Sequence, residues 1–94
     1  MYIALIDIEL KDNMEEEFKT WITKSNNVLS KFPGFVSRRL AKSDNGKYKL
    51  VVEFTDKESH VKLHQTNEHH EIHRQLMSFL KKSPVPTFYH VVSQ

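Results

Sequence analysis

The stretch Phe35–Phe54, FVSRRLAKSDNGKYKLVVEF, decides the fold. It reads as two strands in succession. In the second, Tyr48, Leu50, Val52 and Phe54 alternate with Lys49, Val51 and Glu53, the pattern of a strand with one apolar face. The first runs from Phe35 to Lys42. Between them Ser43-Asp44-Asn45-Gly46 predicts a type I′ hairpin, because Asn-Gly tolerates positive φ.

The periodicity changes on both sides of this hairpin. Upstream, Met14, Phe18, Trp21, Ile22, Ser25, Val28, Leu29 and Phe32 recur at the helical period until Pro33-Gly34 stops them. Asn13 and Glu16 have capping-box spacing at the start of this helix. Downstream, Thr55 with Glu58 predicts a cap, followed by helix to about Gln65. Thr66-Asn67 breaks or restarts it, and a second piece runs to about Lys82 before Pro84 and Pro86 forbid helix. Tyr2–Leu10 alternates as a first strand, and Phe88–Val92 predicts the last.

The order is β-α-β-β-α-β: one ferredoxin-like α+β domain over residues 1–94, with a four-stranded antiparallel sheet. Helices packed on one side leave the other sheet face bare. That face would carry Ile3, Leu5 and Val51 among charges, an apolar patch that a second copy packed sheet to sheet would cover. A homodimer is expected.

Composition narrows the function. The chain is 38% hydrophobic and 28% charged with a net charge of +2, ordinary for a globular domain and too weakly basic to favour nucleic acid. It contains no cysteine, which excludes disulfides, iron–sulfur clusters, thiolate metal sites and cysteine nucleophiles. The opening MYIALIDIEL is short, has no basic leader and carries Asp7 and Glu9, so neither a signal peptide nor a membrane span is expected, and the location expected is cytoplasmic. With glycine only at positions 34 and 46, no phosphate-binding loop is present.

Five of the six histidines lie in His60–Leu80, HVKLHQTNEHHEIHRQLMSFL. His60/His64 and His69/His73 are each one helical turn apart. Continuing the second pair leads to Leu76 or Met77 and then Leu80, so His69 and His73 are expected to face a core or a cavity. Buried polar groups need partners, either protein or ligand. Facing a ligand, either imidazole is a candidate general base. Facing protein, it would bond to backbone or to a carboxylate. His60 and His64 have metal-ligand spacing, but zinc needs three or four ligands and no acid completes the pattern, so no metal is expected.

Other residues also have two readings. Trp21 is a core or cavity-wall residue, or a stacking surface for substrate. Arg38 and Arg39 point to opposite sheet faces, so only one can enter a pocket, where it would hold an enolate or a carboxylate. The alternative is a salt bridge to Asp7, Glu9 or Glu53. Tyr48 and Tyr89 either donate a hydrogen bond to a bound oxygen or simply pack.

Phe18-x-x-Trp21, Lys31-Phe32-Pro33-Gly34-Phe35, Gly46-Lys47-Tyr48, Val52-Glu53-Phe54, the His-rich helix and Phe88-Tyr89-His90-Val91-Val92 follow one another in an order that resembles the antibiotic biosynthesis monooxygenase domain over nearly the whole chain. The resemblance implies a dimeric α/β barrel with a pocket between each sheet and its helices. It further implies a small-molecule oxygenase that deprotonates an aromatic or quinol-like substrate and lets it meet dioxygen without flavin or metal, with His73 or His69 as base. Other members implied are non-catalytic ligand-binding or stress-response dimers and haem-degrading enzymes. In the haem branch, Thr66-Asn67-Glu68-His69 sets the alignment and places His73 at the iron ligand. The same alignment puts Leu63 where that branch has a ring-distorting tryptophan, and Ile6 where it has a pocket asparagine. The polyketide oxygenases use a helical tryptophan with polar neighbours, a set that His64 near Leu63 does not reproduce.

Overall fold

The computed structural model describes residues 1–94. Its elements are β1 (Tyr2–Ile8), α1 (Glu15–Leu29), β2 (Phe35–Lys42), β3 (Tyr48–Phe54), α2 (Lys57–His64), α3 (Asn67–Phe79) and β4 (Val85–His90). The strands form one antiparallel sheet in the order β2-β3-β1-β4, the ferredoxin-like topology, with the second helical layer split into α2 and α3. No helix is long and apolar enough to cross a membrane.

Strand alternation makes the sheet two-faced. Tyr2, Ala4 and Ile8 of β1 and Leu50, Val52 and Phe54 of β3 are buried beneath the helices. Phe18, Ile22 and Leu29 of α1 and Ile72 and Leu76 of α3 come down onto them. Val28, expected on the α1 stripe, is exposed instead. The buried stripe is narrower than the apolar one, since a single sheet face accepts only about 100° of helix.

Local chemistry corrects several boundaries. Asn13 takes a left-handed conformation with φ 62°, which moves the start of α1 to Met14 and removes the expected capping box. Glu15, Glu16 and Glu17 still sit in the first turn, at the positive end of the helix dipole. Asp56, not Thr55, caps α2 by accepting from the Ser59 amide at 2.8 Å, while the Thr55 hydroxyl donates to Asp56. The β2–β3 connection is a turn over Ser43–Gly46, with Gly46 N–H donating to the Ser43 carbonyl at 2.9 Å. Only Gly46 has positive φ there, so the type I′ turn is not formed.

α3 ends at Phe79 because Leu80 pairs with Leu10, and Lys81 N–H donates to the Glu9 carbonyl at 2.9 Å. β4 begins at Val85, earlier than expected; it is an edge strand, where Pro86 need not donate to a neighbour. Gly34 is held at φ 83° against α2, and a side chain there would collide with Ser59.

Candidate active site

Cross-strand rows tile the inner sheet face. One runs Arg38–Val52–Ala4–Phe88 and the next Leu40–Leu50–Ile6–Pro86. The small side chain of Ala4 leaves a dip in the middle of the first row. The helices do not fill it. A cavity of about 150 Å³ remains between this floor and a roof made by α2 and α3.

The roof is a file of imidazoles. Thr66 starts α3 by accepting from the His69 amide at 3.1 Å, and this restart brings the two histidine pairs into one line. Ring centroids of His60 and His64 are 3.9 Å apart, those of His64 and His69 3.8 Å, and those of His69 and His73 6.2 Å. All four line the cavity. The deep stripe of α3 runs through Ile72 and Leu76, so His69 is half-buried and His73 stands on the rim. The expectation that both rings face inward is corrected for His73, which is exposed. No three histidine, aspartate or glutamate side chains converge as a metal would require.

Burial determines how these rings titrate. It pushes His60 down to about 4, with His64 and Lys57 adding to the effect. It pushes His69 to about 4 as well, helped by His64 and His73. His64 is also lowered by burial, but its ring bond to the His60 carbonyl opposes the shift. That bond, 2.9 Å from Nδ1, also defines the tautomer: a carbonyl only accepts, so Nδ1 carries the proton and Nε2 the lone pair. His60 Nδ1 is buried with no hydrogen-bond partner.

Arg38 lines the cavity at the end of the floor row and is only 7% exposed. Its Nε donates to Asn26 Oδ1 at 2.8 Å, and its Nη2 donates to Ser25 Oγ and, at 3.3 Å, to the Ile22 carbonyl. Its guanidinium lies 5.0 Å from the Trp21 ring centroid. Every partner is neutral. Burial lowers Arg38 to about 10, which leaves it charged at neutral pH. Arg39, one residue on and facing the other way, pairs with Glu53 at 2.8 Å, the surface salt bridge offered as the alternative for an arginine here.

Of the residues singled out from sequence, His69, His73, His64, Leu63, Ile6 and Arg38 therefore meet around one cavity. Three do not. Trp21 lies behind Arg38, stacked on Phe18 and near Phe79, with its Nε1 donating to Gln75 at 2.7 Å. Tyr48 sits at the far end of the sheet beside Ile8, where its hydroxyl donates to Glu15 at 2.5 Å. That bond, with Lys42 nearby, pulls Glu15 down to about 2. Tyr89 faces away because its neighbour Phe88 faces in, and it is 49% exposed on the outer sheet face. His60 and Phe88 were missed as site residues; the i, i+4 link from His60 to His64 was the one signal available for His60. Haem fits poorly. A porphyrin is far larger than a cavity of about 150 Å³, and Ile6 and Leu63 offer it only hydrocarbon.

Solved structures share the fold. SnoaB, a cofactor-independent oxygenase from Streptomyces nogalater solved as a variant, superposes with a TM-score of 0.84 at 12% identity, covering 99% of this chain and 94% of its own. A candidate antibiotic biosynthesis monooxygenase from Bordetella bronchiseptica gives 0.82 at 19% identity over 98% of each chain. A conserved protein from Methanosarcina mazei gives 0.79 at 16% identity, covering 95% of this chain and 91% of its own. No curated protein sequence matches the chain. Residues 1–75 match the antibiotic biosynthesis monooxygenase family, and with four-fifths of the chain in that match, the protein belongs to this family.

Proposed function

We propose that the chain is a cofactor-independent monooxygenase for a phenol- or quinol-like small molecule bound between sheet and helices. The observation that carries this reading is one apolar cavity with neutral imidazoles above and a buried, uncompensated Arg38 at the end of its floor. The imidazoles supply a proton acceptor, and the guanidinium supplies a fixed positive charge for the resulting anion. SnoaB, named as a cofactor-independent oxygenase, supports the same chemistry on the same fold.

His64 is the best-prepared base. Its Nε2 lone pair is set by the bond at Nδ1. A bound anion raises the basicity of His64 and of half-buried His69, because opposite charges favour the protonated ring. The electron-rich anion then reduces dioxygen directly. For a quinol, one oxygen atom forms a C–O bond at a ring carbon and the other leaves as water, giving a hydroxyquinone. The quinol supplies all the electrons, so no further reductant enters. The apolar walls keep bulk water from competing.

Two copies are proposed to pack through the outer sheet face, where Tyr89 and Val85 are exposed next to half-exposed Ile3, Leu5 and Val51. Oxygen uptake with hydroquinone tests the reading. Uptake above the uncatalysed rate is expected, and His64→Gln should lower kcat about 100-fold or more, as loss of a general base does. His73→Gln should cost much less. Uptake no faster than without protein defeats the proposal.

A further inference from the structure

We infer that the cavity selects a single aromatic ring carrying an anionic oxygen group, with that group seated on Arg38. The inference rests on the oxygenase reading for the place of the site and goes beyond it in naming the size and charge of the occupant.

Size comes first. An apolar cavity of about 150 Å³ holds one benzene in an engineered protein of known behaviour. The cavity here has the same volume, 150 Å³, and Val52, Ala4, Ile6, Pro86 and Phe88 wall it with hydrocarbon. Fused ring systems exceed that space.

Charge comes second. A buried cation without a counter-ion is costly, and evolution usually pairs it. Arg38 has no carboxylate within ion-pair distance: Glu53, on the outer sheet face, pairs with Arg39, and Glu15, at the far end of the sheet, with Tyr48 and Lys42. Its Nη1 makes no hydrogen bond within the chain and is not among the fully buried unpartnered atoms, so it remains open to a ligand. A carboxylate meets a guanidinium through a planar fork.

The far end of the row is closed. His60 packs on Phe88 at 5.1 Å, at the opposite end of the row that starts with Arg38, and its Nδ1 is buried out of reach of the cavity. The ligand class is thus a benzoate-like anion, one aromatic ring with its charged group at the Arg38 end.

The test titrates 4-hydroxybenzoate into the full chain by calorimetry and by the fluorescence of Trp21, the one tryptophan, whose ring lies 5.0 Å from the Arg38 guanidinium. Saturable binding is expected. The neutral isostere 4-hydroxybenzamide should bind at least tenfold more weakly, and 6-hydroxy-2-naphthoate should not bind at matched concentration. Arg38→Met should erase the preference for the anion. Equal affinity for acid and amide, tighter binding of the naphthoate, or no saturable binding overturns the inference. The ligand series on the unmodified chain decides this even if Arg38→Met fails to fold. Oxygen uptake with 2,5-dihydroxybenzoate separates the two claims. Binding without uptake leaves this inference standing and defeats the oxygenase reading; uptake with hydroquinone but no preference for anions does the reverse.

Discussion

The two halves of the inner sheet face are covered in opposite ways. Under α1, Phe18 is fully buried and meets Trp21 and Phe79 ring against ring, so that half is solid. Under α2 and α3, a methyl group at Ala4 faces a file of imidazoles and a cavity of about 150 Å³ remains. Both halves are built on the same strands. The difference lies in side-chain volume and polarity. Large aromatic rings interlock to interior density. His60 packs on Phe54 and Phe88, but the file of imidazoles as a whole leaves a cavity over the floor. Hollowness under the helices is thus local and set by a few residues.

Four measurements would break or sharpen this contrast. Phe18→Ala opens a new void in the solid half and is expected to cost about 3–5 kcal/mol in urea unfolding. A loss under about 1 kcal/mol would mean that half is not solid.

Enlarging side chains should next separate the halves by sign. Ile22→Phe overpacks the α1 side and should destabilise by about 1–3 kcal/mol. Ala4→Val grows into the cavity and should be neutral or stabilising by about 0.5–1 kcal/mol. Equal destabilisation by both would erase the distinction.

The third measurement uses the roof itself. His60 and His69 are pushed by burial from their ordinary 6.5 down to about 4. Between those values the unfolded chain binds more protons than the folded one, so stability rises with pH. Their contribution is complete above pH 6.5 and is lost as pH falls through about 4. Because both rings are partly open to solvent, the combined loss between pH 7 and pH 5 should be only about 1–2 kcal/mol. Glu15, held low first by the Tyr48 hydroxyl and then by Lys42, acts only below its ordinary 4.5 and does not blur this window. The His60→Leu/His69→Leu double variant should flatten the slope. An unchanged slope would place the titration elsewhere.

The smallest effect is at the joint of the roof. Thr66→Ala removes the hydroxyl that accepts from the His69 amide and should cost about 1 kcal/mol. Faster hydrogen exchange at the first turn of α3, with α1 unaffected, would show that the roof loosens separately from the solid half.

The hairpin, the long helix and the His-rich segment were legible because each has a period that local sterics enforce. The turn at Ser43–Gly46 and the start of α1 were read less well, since Asn tolerates several conformations and only the surrounding contacts choose among them. Candidate site residues divide on the same ground. Alternation put Arg38 and Arg39 on opposite sheet faces without saying which faces in, and the same rule places Tyr89 outward once Phe88 is known to face in. Tyr48 was on the expected face but at the wrong end, because spacing along a strand does not say where a cavity lies.

Sequence alone therefore determined the elements, their faces and the presence of a histidine-lined helical surface, since these follow from backbone geometry and side-chain polarity over a few residues. Tertiary structure decided that Arg38 is left without a carboxylate, that His60 joins the file, and that space remains above Ala4. Charge pairing and void volume depend on which side chains arrive from distant segments, and no local pattern encodes that meeting.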